Sequence, residues 1–123
     1  MTGGHAVGLD LIEIGRIEGA LERRPKLAER LFTEGELRFA QARRRPARHL
    51  AARFAAKEAA LKALGGPALP PREIEVEGGG EGPPHLRLHG SAAAVAHARG
   101  VALELSLTHS RELAAAVVVA KPR

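Results

Sequence analysis

The stretch "PARHLAARFAAKEAALKALGGP", residues 46–67, constrains this chain more than any other. Pro46 suits the first turn of a helix, where its missing N–H removes no hydrogen bond. No glycine or proline then interrupts the run until Gly65, Gly66 and Pro67, which together stop a helix. The pattern predicts the longest helix of the chain, from Pro46 to about Leu64. Leu50, Phe54, Leu61 and Leu64 fall on one stripe of that helix, and Lys57 fills the gap in the stripe. Glu58 lies about 100° further round. Lys62 follows it by four residues and is its surface neighbour. The wheel alone leaves two readings open. In the first, Lys57 lays its methylenes over apolar surface, and Glu58–Lys62 is a surface pair worth about 0.2–0.5 kcal/mol. In the second, the helix faces a cleft in which Glu58 holds a cation and the lysines meet an anion.

The flanking segments predict an α+β fold in which this helix packs on a mainly antiparallel sheet. "HAVGLDLI" reads as a first strand, with Val7, Leu9 and Leu11 on one face and Gly8 and Asp10 on the other. Ile14, Ile17 and Leu21 have helical spacing and are followed by Pro25. "KLAERLF" is a short helical turn, and "TEGELRFAQARRR" is a helix headed by Thr33. "EIEVE" and "HLRLHG" are short strands around the turn "GGGEGPP". Ser91 is placed to cap an alanine-rich helix reaching Arg99. "VALELSLT" and "ELAAAVVVA" form a hairpin around "HSR". With 123 residues, no repeat and no low-complexity linker, the expectation is a single domain over residues 1–123.

Composition removes several function classes. There is no cysteine, hence no disulfide, thiolate metal site or cysteine nucleophile. No apolar run approaches the roughly 20 residues of a membrane span. The N-terminus lacks a basic region followed by a long apolar stretch, so no signal peptide is expected and the cytoplasm is the expected compartment. The net charge of +5 favours phosphates or acidic partners. Nucleic acid is disfavoured, because the chain has no Trp or Tyr and only Phe32, Phe39 and Phe54, each inside a helical apolar pattern.

Smaller constellations carry chemistry in outline. Asp10 is either a helix cap partnered by Glu13 or, with a helical glutamate, one of two hard oxygen donors suited to Mg²⁺ beside substrate phosphates. Thr33 and Glu36 have capping-box spacing. Ser106 and His109 end a strand. No aspartate follows to orient a catalytic histidine, so phosphate contact suits His109 better than a serine nucleophile. Arg43, Arg44, Arg45, Arg48 and Arg53 form either a solvated basic face or a phosphate-capturing cluster. His5, His49, His85, His89 and His97 show no metal-ligand spacing and read as surface or core residues.

Taken in order, "VGLDLIEIGRI", "LFTEGEL", "RFAAKEAALKALG" and "LSLTHSRELAAAVVV" resemble the holo-[acyl-carrier-protein] synthase family, the short bacterial type of 4′-phosphopantetheinyl transferase. The resemblance runs from Val7 to Val119, and the stretch from Pro67 to Ala102 matches only loosely. It implies transfer of 4′-phosphopantetheine from coenzyme A to a serine of apo acyl carrier protein, with release of adenosine 3′,5′-bisphosphate, in support of fatty acid biosynthesis. It implies Mg²⁺ on Asp10 and Glu58, with Lys62 on a phosphate and Glu58 and Lys62 as the catalytic pair. Arg45, Arg53, Lys62, Gly65, Ser106 and His109 make up the implied coenzyme A-binding set. Arg16, Arg23 and Lys26 are the implied docking positions for the acidic carrier. A homotrimer with sites at subunit interfaces is also implied. The role of Lys57, phosphate contact or packing, stays open, as does the base that takes the serine proton. Two other functions fit the charge: a small basic nucleic-acid-binding module and a non-catalytic coenzyme A-binding protein.

Overall fold

The computed structural model describes residues 5–123. Residues 1–4, part of the expected domain and of the N-terminus read for a signal peptide, lie outside the described residues. Strand β1 (Ala6–Glu13) leads into helices α1 (Ile14–Arg23), α2 (Leu27–Leu31), α3 (Glu34–Gln41) and α4 (Pro46–Ala63). A 3₁₀ turn (Pro71–Glu73), β2 (Ile74–Glu77), β3 (His85–Leu88), α5 (Gly90–Ala98), β4 (Val101–His109) and β5 (Leu113–Pro122) complete the order. Two antiparallel sheets result, one ordered β1-β5-β4 and the other β2-β3. The expected α+β class, with the long helix on antiparallel sheet, is what forms. No described helix is long and apolar enough to cross a membrane.

Helix α4 is buried far more widely than a stripe. Ala51, Ala52, Ala55, Ala56, Ala59, Ala60 and Ala63 are all buried, whereas Phe54 and Leu61 of the expected stripe are only partly so. The reason is steric. Alanine lets the helix lie close to the sheet, where Ala116, Val118 and Ala120 of β5 meet it. Gly8 makes the closest approach possible: a Cβ there would stand 1.8 Å from the Ala59 carbonyl oxygen. A second cluster joins Ile14, Ile17, Phe32, Ala40 and Leu50 where α1 and α3 meet α4.

Period-2 alternation in β1 holds, but its faces serve the opposite purpose from a core strand. The apolar Val7, Leu9 and Leu11 are each more than 60% exposed, and the face bearing Gly8, Asp10 and Ile12 packs on α4.

Two local expectations fail for identifiable reasons. Helix α3 stops at Gln41, short of the arginine run. Ala42 is its C-cap, and Arg45, where Pro46 disfavours a right-handed helical conformation, takes φ 53°, ψ 66°, so the arginine run cannot join α3 to α4 as one helix. Ser91 does not cap α5. The N-cap is His89, with no side-chain cap bond, and the Glu73 carboxylate accepts from both the Ser91 hydroxyl and the Ala92 amide.

The Thr33–Glu36 capping box is present with both reciprocal bonds. Glu36 also does something that spacing did not foretell. It is 1% exposed, and its carboxylate takes bonds from Lys57 Nζ at 2.8 Å and the Val76 amide at 2.9 Å. Lys57, equally buried, donates its other two protons to the Pro71 and Ile74 carbonyls. This buried ion pair ties α3, α4 and β2 together.

Candidate active site

The site starts where β1 crosses α4. Asp10 stands opposite Ala116 in the ladder and on the α4 side of the sheet. Lys62 Nζ donates to the Leu9 carbonyl at 2.8 Å and to Asp10 Oδ1 at 3.3 Å. Lys62 thus pairs with Asp10 across the strand–helix contact, and the i,i+4 surface pair with Glu58, one of the two readings the wheel left open, is not the one that forms. Glu58 is partly buried. Burial pushes its carboxyl above the ordinary range, repulsion from Asp10 adds to the rise, and Lys62 opposes it. The cap reading of Asp10 fails: the N-cap of α1 is Glu13, without a side-chain cap bond.

Two carboxylates that raise one another's energy are a fitting donor set for a hard divalent cation. Among the described residues no group of three or more His, Cys, Asp or Glu side chains gathers as a metal cage. One or two carboxylates are the kind of protein donor set through which Mg²⁺ binds, its remaining positions kept for water and substrate phosphate.

Other candidate residues separate into those that reach this edge and those that do not. Gly65 (φ 90°) follows the end of α4 just beyond Lys62, where its amide donates to the Lys62 carbonyl. Any Cβ there would strike the Arg99 guanidinium at 2.6 Å. Lys57, left open between packing and phosphate, is a packing residue: all three of its protons are committed inside the core. Arg53 is 3% exposed. Its guanidinium stacks 3.8 Å from the Phe39 ring centroid and bonds to the Gly78 carbonyl. Burial lowers its pKa, which Glu36 partly offsets.

Ser106 and His109 lie on opposite sides of β4. Ser106 is exposed beside Leu9 and Val117, around a hollow of about 150 Å³ on the outer sheet face. His109 is partly buried against the ring of His49, with centroids 5.5 Å apart. Within one chain the serine therefore does not reach the histidine, and a Ser–His nucleophile is excluded.

Arg45 reaches the far side of the hairpin turn and donates to the Arg111 carbonyl at 2.9 Å. Together with Arg16, Arg23, Arg111, Glu13 and Glu18 it lines an open cleft of about 720 Å³. Two of the positions expected to dock the carrier thus share a surface with one expected to bind coenzyme A. Lys26 sits apart, beyond the end of α1, in a smaller basic hollow with Arg24 and Arg30.

Sequence reasoning missed two residues that shape the site. Gly8 sets the β1–α4 distance. Its signal was present, since a glycine at an inward strand position marks close backbone approach. Glu36 was visible only as a cap, and nothing local announces its partner 21 residues away.

Residues 6–118 match the family model described as the 4′-phosphopantetheinyl transferase superfamily. A holo-[acyl-carrier-protein] synthase of Streptomyces coelicolor is 50% identical over 119 residues, covering 94% of this chain and 95% of that one. The solved ACPS–CoA complex of Chronobacterium ammoniagenes superposes with a TM-score of 0.87 at 33% identity, covering 98% of both chains. The acyl carrier protein synthase of Mycobacterium tuberculosis gives a TM-score of 0.79 at 36% identity, over 98% of this chain and all of that one.

Proposed function

The chain belongs to the 4′-phosphopantetheinyl transferase superfamily, and from that premise we propose that it acts as one domain, in the cytoplasm, as a holo-[acyl-carrier-protein] synthase. The observation that carries the reading is the Asp10–Glu58–Lys62 edge: two carboxylates and a lysine held together by the packing of β1 on α4. In the reaction, a serine oxygen of apo acyl carrier protein attacks the β-phosphorus of coenzyme A. The bond to the bridging pyrophosphate oxygen breaks, adenosine 3′,5′-bisphosphate leaves, and the serine proton passes to solvent or base.

Such a displacement needs positioning and charge neutralisation more than covalent help. Asp10 and Glu58 would hold Mg²⁺, which when bound supplies positive charge beside the pyrophosphate. Lys62 rests on Asp10 and the Leu9 carbonyl and is more than half exposed, so its ammonium is free to turn to a phosphate oxygen. Gly65, whose conformation a side chain would strain, turns the chain out of α4 just beyond Lys62. Lys57 and Glu36 do not touch substrate; they hold α4 against α3 and β2 and so fix where Glu58 stands.

The cleft lined by Arg16, Arg23, Arg45 and Arg111 offers an acidic carrier a basic surface next to the coenzyme A positions. The homotrimer that the family resemblance implies is part of this proposal, and the outer sheet face supports it. Val7, Leu9 and Leu11 form an exposed apolar row flanked by Val117 and Val119, a surface of the kind that partners cover. Ser106 lies on that face, so its place in the coenzyme A-binding set is as a residue offered to a neighbouring subunit's site. The test is incubation of apo acyl carrier protein with coenzyme A, Mg²⁺ and the enzyme. The carrier should gain the mass of phosphopantetheine; a carrier left unmodified under conditions where a related synthase converts it would end this reading.

A further inference from the structure

The loop of the β4–β5 hairpin does not hold itself. Two-residue hairpin loops favour turns with positive φ, usually built on glycine or asparagine, because their twist matches that of the strands. Here the loop is Arg111–Glu112, and neither residue has a positive φ. The amide that follows it, that of Leu113, goes to the Ser110 hydroxyl at 3.1 Å. Both loop carbonyls are taken from outside the hairpin. The amide of Ile14, the first residue of α1, donates to the Glu112 carbonyl at 2.8 Å. Arg45 Nη2 donates to the Arg111 carbonyl at 2.9 Å, from 66 residues away in the chain.

Arg45 makes this bond from an unusual backbone. Among the described residues it is the only one other than glycine with a positive φ. Pro46 steers the residue before it towards extended backbone, so the left-handed conformation needs another cause. Such outliers persist where the surroundings impose them and gather at functional places. The place here is the cleft of about 720 Å³, which Arg111 and Glu112 of the turn line together with Arg16 and Arg23 of α1. No salt bridge among the described residues involves any of these four side chains. Their charges are unspent and open to a partner.

We propose that Arg45 is a positioning residue for carrier docking: its bond to the Arg111 carbonyl sets the β4–β5 turn as the second wall of the carrier cleft, α1 being the first. This inference rests on the carrier reading of the cleft given above, and it gives Arg45 a role separate from any contact with coenzyme A. A carrier seated on α1 alone meets Arg16 and Arg23. A carrier seated between the two walls also meets Arg111, presented by the backbone that Arg45 holds. Ile14 ties the turn to α1 and Arg45 ties it to the start of α4, so the walls keep their separation before the carrier arrives. A cleft already in its docking shape loses less to ordering when it binds.

The test is steady-state kinetics with apo acyl carrier protein as the varied substrate, at saturating coenzyme A and Mg²⁺, so that loss of coenzyme A affinity does not enter. Arg45→Gly suits a left-handed position and removes the guanidinium. It should unfold no more readily than wild type on heating, yet raise KM for the carrier about fivefold, the scale of one net hydrogen bond, with kcat changed less. Arg45→Asn, the other residue type that tolerates this conformation, should behave alike. Arg111→Ala leaves the Arg111 carbonyl in place and removes only the side chain that the turn presents. It should raise the carrier KM by itself, and adding Arg45→Gly to it should cost less than about twofold more, because residues that act through one another are not additive. Fully additive losses would make Arg45 an independent contact and overturn this inference. So would an unchanged carrier KM in folded Arg45→Gly and Arg45→Asn. A wild type that leaves the carrier unmodified overturns the functional reading, and this inference with it.

Discussion

Replacing Gly8 by alanine adds one carbon to the contact on which the site depends. That carbon would stand 1.8 Å from the Ala59 carbonyl oxygen and 2.8 Å from both the Ala59 carbonyl carbon and the Ala63 nitrogen. All three neighbours are backbone, so no side-chain rotation relieves the clash. Restoring ordinary contact requires β1 and α4 to separate by roughly 1.5 Å. Overpacking a tight core costs about 1–3 kcal/mol, and a clash against helix backbone belongs at the top of that range. The functional cost is larger, because β1 carries Asp10 and α4 carries Glu58 and Lys62. A misplacement of about 1 Å is enough to cost on the order of 100-fold in rate. Urea unfolding should therefore report a loss near 3 kcal/mol, and kcat/KM for carrier modification should fall about 100-fold in protein that is still folded. An alanine variant within 0.5 kcal/mol of wild type (about the scatter of neutral surface substitutions) and fully active would refute the idea that this contact sets the geometry.

Lys57→Met should cost about 3–5 kcal/mol in urea unfolding, because it leaves the Glu36 carboxylate buried without its ion partner. The double variant Lys57→Met, Glu36→Gln should cost less than the two single changes added together. Leu11→Glu, placed on the exposed apolar face of β1, should convert the proposed trimer to monomer in sedimentation analysis; an unchanged mass would move the interface elsewhere. Arg16→Glu and Arg23→Glu should each raise KM for the acidic carrier about tenfold or more while leaving KM for coenzyme A near wild type, measured in steady-state kinetics at low salt, where surface electrostatics are strongest.

Much of this molecule is legible in the chain because its signals are local. Pro46 and Gly65 bracket α4, Thr33 and Glu36 cap α3, and alternation marks β1 and β4, all within a few residues. What escaped is non-local. Lys57 sits in an apolar stripe whether it snorkels or pairs inside, and only the arrival of Glu36, Pro71 and Ile74 decides. The wheel weighted leucine and phenylalanine, whereas the core of α4 is alanine because the sheet comes so close. Val7, Leu9 and Leu11 form the apolar face of a strand, but period-2 alternation does not say which partner covers that face. Ser106 and His109 are neighbours in a motif and face opposite ways in the strand, since an odd spacing reverses the side. Of the site itself, Asp10, Glu58 and Lys62 were singled out by motif and do converge; the packing of Gly8 against α4 that brings them together was not foreseen.

The most direct measurement is mass spectrometry of apo acyl carrier protein after incubation with coenzyme A, Mg²⁺ and either wild type, Asp10→Asn or Glu58→Gln, with circular dichroism recorded on each protein. Wild type should load phosphopantetheine onto the carrier. Each variant, folded by its dichroism spectrum, should load it at least 100-fold more slowly, and excess Mg²⁺ should recover only part of the loss. Loading at the wild-type rate by both folded variants would contradict the assignment of this carboxylate pair as the centre of the reaction.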